Sequence, residues 1–161
     1  MIRLANINDI DDIMLIYKKA KQKMIDDGNN NQWNEGYLTK ELIINDIKNK
    51  QLFVFEIENI IHAVFSFIIG IDKTYLIIED GKWQSDTPYG TIHRIGSDGK
   101  YHGILKEAVE FCLTKIKHIR IDTHKDNNVM NHLLPQLGFK YCGIIYVTDG
   151  TKRLAYELVE E

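Results

Sequence analysis

Cysteine is scarce in this 161-residue chain: there are two, Cys112 and Cys142, and they form no CxxC pair. That excludes a disulfide scaffold and a thiolate metal ribbon. Both thiols are expected reduced, in a cytoplasmic protein. Proline is equally rare, at two residues, so there is no Pro-rich linker or docking segment. No long apolar run exists. The longest, "AVFSFIIGI" (Ala63 to Ile71), falls far short of the roughly 20 residues a bilayer-spanning helix needs. The start, "MIRLANINDIDD", puts acidic and amide side chains where an export signal would be apolar, so no such signal is visible. A basic excess is also missing: 20 Lys and Arg face 23 Asp and Glu, for a net charge of −3. With no Lys/Arg stripe, a nucleic-acid partner is not expected. The slight acidic excess leaves room for a cationic or amine ligand.

What remains is an ordinary globular composition, 44% apolar and 27% charged, without repeats. One domain over residues 1–161 is expected. "MIRLA" reads as a short strand. Ile10, Ile13, Met14, Tyr17 and Met24 then recur at helical spacing, with Asn8 as the expected cap. "TKELIINDIKNK" predicts a second, short helix capped by Thr39. "QLFVFEI", "IIHAVFSFII", "TYLIIED" and "YGTIHRIG" predict four consecutive antiparallel strands. A helix follows, then "HIRIDTH" as a buried strand. "DNNVMNHLLPQLGF" reads as a helix loosened by Pro135 and stopped by Gly138. "YCGIIYV" and "KRLAYEL" close the chain as a hairpin. The order β-α-α-β-β-β-β-α-β-α-β-β predicts an α/β fold. Its mixed, mostly antiparallel sheet has helices on both faces, and one parallel pair forms where a helix makes the crossover.

The stretch "RIGSDGKYHGILKEAVEFC" (Arg94 to Cys112) carries the chemistry. Three glycines precede a helix whose apolar stripe runs Ile104, Leu105, Ala108, Val109, Cys112, Leu113 and Ile116. The first amides of a helix have no intrahelical partner and sit at the positive dipole end. Glycine ahead of them lets phosphate approach the backbone. Lys100 and His102 add positive charge. A pyrophosphate-sized anion suits the site, although the string matches neither GxGxxG nor GxxxxGK[ST]. The alternative is a tight connection and nothing more.

With the element order added, the chain resembles the GCN5-related N-acetyltransferase (GNAT) family. "KYHGIL" (Lys100 to Leu105) is similar to that family's Gln/Arg-x-x-Gly-x-Gly/Ala loop. Lys100 stands at the first position, Gly103 at the first glycine, and Leu105 at the small second one. "DNNVMNHLLPQLGF" is similar to its second motif, with Asn127 at the asparagine and Leu137-Gly138-Phe139 as the ending. The resemblance implies acetyl-CoA as co-substrate. Its pyrophosphate would lie on amides from Lys100 through His102, Gly103 and Ile104 to Leu105. Its pantetheine arm would pair with backbone at Ile95 and Ser97 between splayed strands, and Asn127 would contact the arm.

The implied reaction is direct attack of a primary amine, of a small molecule or a peptide, on the thioester. The family's usual tyrosine acid falls at Leu134, so Tyr146, with Tyr141 second to it, is the nearby substitute. Glu79 and His93 are the expected bases. Arg94 should point opposite His93 by strand alternation. Trp33, Tyr37 and Trp83, the last in a lid-like loop, are the expected acceptor-pocket aromatics. His118, Asp122 and His124 share a strand face, but no HExxH spacing exists and no metal is assigned. Leu134 and Leu105 also fit an alternative, a non-catalytic acyl-CoA-binding module. A third reading is a mixed-sheet protein that binds another phosphate ligand. The closing hairpin offers a strand edge on which a second copy would form a homodimer.

Overall fold

The computed structural model describes residues 1–34 and 36–160. Seven strands form one sheet: β1 (Ile2–Leu4), β2 (Leu52–Ile57), β3 (Ile60–Ile69), β4 (Gly90–Ser97), β5 (His118–Thr123), β6 (Lys140–Tyr146) and β7 (Lys152–Val159). Their spatial order is β1-β2-β3-β4-β5-β7-β6. Every neighbouring pair is antiparallel except β4 and β5. Among the described residues the α-helices are α1 (Ile10–Asp26), α2 (Lys40–Lys48), α3 (Ile104–Leu113) and α4 (Asn128–Gln136).

Helix periodicity sorts the apolar residues onto two faces. Ile13, Ile16, Tyr17 and Ala20 of α1 and Ile43 of α2 pack on Leu52, Val54 and Val64. The opposite sheet face presents Phe53, Phe65, Ile92, Ile119 and Ile121 to Leu105, Ala108, Val109 and Cys112 of α3 and Leu134 of α4. Strand alternation supplies both sets from the same strands.

Two local expectations are corrected. Asn6, not Asn8, caps the N-terminal helical segment: its side chain accepts from Asn8 N at 3.0 Å, and Asp9 reaches back to Asn6 N at 2.8 Å. This reciprocal box satisfies two otherwise orphaned donors ahead of α1. "TYLIIED" is not a strand. Asp72 accepts from Thr74 N at 2.9 Å and starts a 3₁₀ turn over Lys73–Tyr75. That turn drives Tyr75 into the interior and leaves Leu76 and Ile77 exposed. The expected cap Thr39 does its work, accepting from Leu42 N at 3.1 Å. Pro135 falls inside α4, and Gly138 ends it at φ +94°.

β6 is an edge strand, but its outer side is met at Ile144. Glu79 exchanges two backbone hydrogen bonds with that residue, each 2.8 Å. This blunts the edge expected to recruit a second copy.

Candidate active site

β4 and β5 are hydrogen-bond neighbours over two residue pairs only, Gly90↔Ile119 and Thr91↔Arg120. Beyond them the strands part. A bulge increases the divergence: Ser66 faces His93 and Val64 faces Gly96, so one extra residue is accommodated in β4. Arg94 takes it up at φ +51°, a left-handed conformation unusual for arginine. The extra residue resets the alternation. His93 and Arg94, expected on opposite faces, both line the cavity that opens between the strands. That cavity is about 650 Å³, with Trp33, Tyr37, Ile95, Asp122 and Arg153 also in its wall.

A carboxylate–imidazole pair stands in this wall. His93 Nε2 lies 3.1 Å from Asp72 Oδ2. Asp72 Oδ1 accepts from Thr74 N at 2.9 Å and Thr74 Oγ1 at 2.7 Å. Burial opposes the charge on Asp72, but these donors outweigh it and hold the carboxyl down at about 2. Asp72 is therefore an acceptor, so His93 Nε2–H donates in this contact and Nδ1 is the ring nitrogen left for another partner. Arg94 is fixed by Asp46 at 2.5 Å and by the Tyr37 hydroxyl at 3.4 Å.

The other expected residues divide into those in the cavity wall and those outside it. Trp33 is buried edge-on against Tyr17 and also reaches the cavity, as does the half-exposed Tyr37. Trp83 does not. Its indole N–H donates to Tyr75 O at 2.8 Å, and its ring lies 4.0 Å from the Arg120 guanidinium, so its loop is pinned to the sheet rather than poised over the cavity. Glu79 and Tyr146 are also outside the cavity wall. They meet one another, with Tyr146 Oη 3.4 Å from Glu79 Oε2. Slight desolvation and the Glu79 charge push the phenol up, making it a poorer proton donor. Asn127 is engaged within the protein. Its Oδ1 caps α4 at Met130 N (3.1 Å), and its Nδ2 donates to Gln32 Oε1 (2.9 Å).

The glycine loop ends at Gly103, in the left-handed region at φ +78° with open space where a Cβ would stand. Leu105 points into the core, so its side chain leaves the helix mouth clear. Ser97 accepts from Gly99 N at 3.3 Å, and Lys100 and His102 are exposed. Asp98 organises the turn. One oxygen accepts from Lys100 N at 3.0 Å, and the other meets His62 Nδ1 at 2.7 Å. Tyr101 packs on that histidine, 4.7 Å between ring centres.

The geometry thus joins a split sheet to an open helix mouth. No family model matches the chain, and no curated protein does. Solved structures do. A GNAT-family acetyltransferase from Streptococcus agalactiae 2603 is 33% identical, over 100% of this chain and 95% of its own, at TM-score 0.91. The chain belongs to the GNAT family of acetyltransferases. A GNAT-family acetyltransferase from Listeria monocytogenes 4b F2365 shares the fold at 17% identity and TM-score 0.74, over 99% of this chain and 94% of its own. So does a ribosomal-protein-alanine N-acetyltransferase from Brucella melitensis, at 16% identity and TM-score 0.64, over 99% of each chain.

Sequence reasoning missed several residues of the cavity wall in this GNAT chain. Asp72 falls in what reads as an interstrand turn, and Arg153 lies in the closing hairpin strand as expected, where nothing in the sequence marks it for the cavity. Asp122, His118 and His124 are expected to be hydrogen-bonded polar residues of a strand face, and they are, although the place of Asp122 in the cavity wall was not foreseen. Asp122 Oδ2 accepts the Tyr75 hydroxyl at 2.5 Å, while His118 bonds Glu157 at 2.7 Å and His124 lies 3.5 Å from Asp126. The one available signal for Asp72 was its spacing to Thr74, an Asx-turn pattern.

Proposed function

We propose that the protein transfers an acetyl group from acetyl-CoA to the primary amine of a small molecule or peptide, in the cytoplasm, by direct attack. The observation that carries this reading is the gap between β4 and β5 with the His93–Asp72 pair in its wall. The diphosphate of the co-substrate would rest on the amides from Lys100 to Leu105, beside the open space at Gly103. Its arm would run along Ile95 to Ser97. An alkylammonium has a pKa near ~10.4 and must lose a proton before it attacks. His93 Nδ1 accepts that proton, and Asp72 stabilises the imidazolium formed. The amine nitrogen bonds to the thioester carbonyl carbon, the C–S bond breaks, the imidazolium passes its proton to the departing thiolate, and the acylated nitrogen releases its second proton to water, leaving a neutral amide and a free thiol. Strand amides near Ile95 would polarise the thioester oxygen.

The test is thiol release from acetyl-CoA with an amine panel, comparing wild type with H93Q. Turnover should fall by about 10²–10⁴-fold in H93Q, with CoA affinity unchanged. Undiminished turnover removes His93 from the mechanism. CoA binding without turnover on any amine supports a binding module instead.

A further inference from the structure

We propose that the acceptor is a small free amino acid, whose carboxylate is held by Arg153 while its amine lies between Asp122 and His93. This rests on the acetyl-transfer reading of the same cavity. Arg153 is a buried guanidinium that no carboxylate among the described residues touches directly. Arg153 is 5% exposed. Its Nη1 donates to Thr151 Oγ1 at 2.8 Å and Lys152 O at 3.0 Å, and its Nη2 to Gln32 O at 3.1 Å. All three acceptors are neutral, and among the described residues Arg153 forms no ion pair. The other cavity arginine, Arg94, has Asp46. The Asp149 carboxylate feels the Arg153 charge and accepts from the same Thr151 hydroxyl, but it does not touch the guanidinium; a buried guanidinium with no carboxylate in direct contact is incompletely compensated, and an anion entering the cavity relieves that cost. Its planar fork suits a carboxylate in particular.

Sheet register places a complementary group nearby. Asp122 stands opposite Ala155 on β7, and Arg153 is two residues further along the same face. Such diagonal neighbours are roughly 7–8 Å apart, with their Cβ atoms somewhat closer. Both residues line the same cavity. The carboxylates there differ in availability. Asp72 is saturated by His93 and Thr74, and Asp149 by Thr151 and Asn34. Asp122 spends Oδ2 on Tyr75, while Oδ1 has no hydrogen-bond partner among the described residues. A cation acceptor and an anion acceptor therefore stand one diagonal apart. That spacing suits an amine and a carboxylate carried close together on one small molecule. A peptide N-terminus, with an amide where the carboxylate would be, leaves Arg153 unmatched.

The experiment measures thiol release from acetyl-CoA with a panel of amino acids, each beside its carboxamide and its decarboxylated amine. For the best acceptor, kcat/KM of the acid should exceed that of the carboxamide by about tenfold or more, chiefly through KM. R153Q should abolish the difference, and R153K should keep part of it. Should R153Q fail to fold, the wild-type acid-to-amide ratio and R153K carry the test. Equal rates on acid and amide, or a ratio unchanged in the Arg153 variants, overturn the assignment and leave acetyl transfer standing. No turnover on any amine removes both.

Discussion

Gly103→Val separates backbone strain from ligand contact at the helix mouth. Gly103 sits at φ +78° with nothing within 4 Å of an added Cβ, so the first atom of a new side chain meets no protein atom and the main stability cost is conformational. A left-handed residue costs about 1–2 kcal/mol, which for a chain of this size lowers Tm by roughly 2–8 °C. With native stabilities of about 5–15 kcal/mol, the variant stays almost fully folded at 25 °C. Gly150, in the β6–β7 hairpin, supplies the control: φ +84° and again open space. The two valine variants should lose similar Tm by calorimetry. Only G103V should weaken CoA in titration calorimetry, by about tenfold or more, about 1.4 kcal/mol. If G103V and G150V bind CoA as wild type does while both lose Tm, the space at Gly103 is not the diphosphate seat.

Two further outcomes follow from charges held inside the fold. Glu157 is fully buried between His118 (2.7 Å) and Arg120 (3.0 Å), and its other oxygen accepts from Gln84 N at 2.7 Å; E157Q, which strips Arg120 of its counter-charge, should cost about 3–5 kcal/mol and redden Trp83 fluorescence as the 81–89 loop loosens, whereas an unshifted denaturation midpoint refutes this. Asp72 is held at about 2, against 3.8 when unfolded; its stabilisation is complete above the unfolded value and is lost as pH falls toward 2, so urea midpoints of wild type and D72N should differ at pH 7 and converge by pH 2, and a gap independent of pH contradicts the assignment.

Periodicity explains how much of this was readable in the chain. The stripe from Ile104 to Cys112 is long and regular, so α3 and the open amides at its mouth were legible, as were Thr39, Pro135 and Gly138 at helix boundaries. "TYLIIED" failed because β-branched composition says nothing about Asp72, whose side chain turns the backbone two residues later. The His93–Arg94 prediction failed for a different reason. Alternation assumes an unbroken strand, and no residue type near Arg94 announces a bulge, since arginine is a poor left-handed residue. Asp122 and Arg153 come together only through the β5–β7 register, a long-range pairing that no local window contains. Glu79 and Tyr146 did find each other, but on the outer side of the β6 edge.

The short seam between β4 and β5 makes the sheet mechanically two leaves. One leaf is β1 to β4 and the other is β5, β7 and β6, joined by two residue pairs, by the apolar layer under α3 and α4, and by the segment between β3 and β4, whose Tyr75, Glu79 and Gln84 bond Asp122, Ile144 and Glu157. A molecule lodged in the cleft touches both leaves and so acts as mortar. Occupancy should therefore slow amide exchange on the far margins of each leaf and sharpen thermal unfolding into a more concerted event.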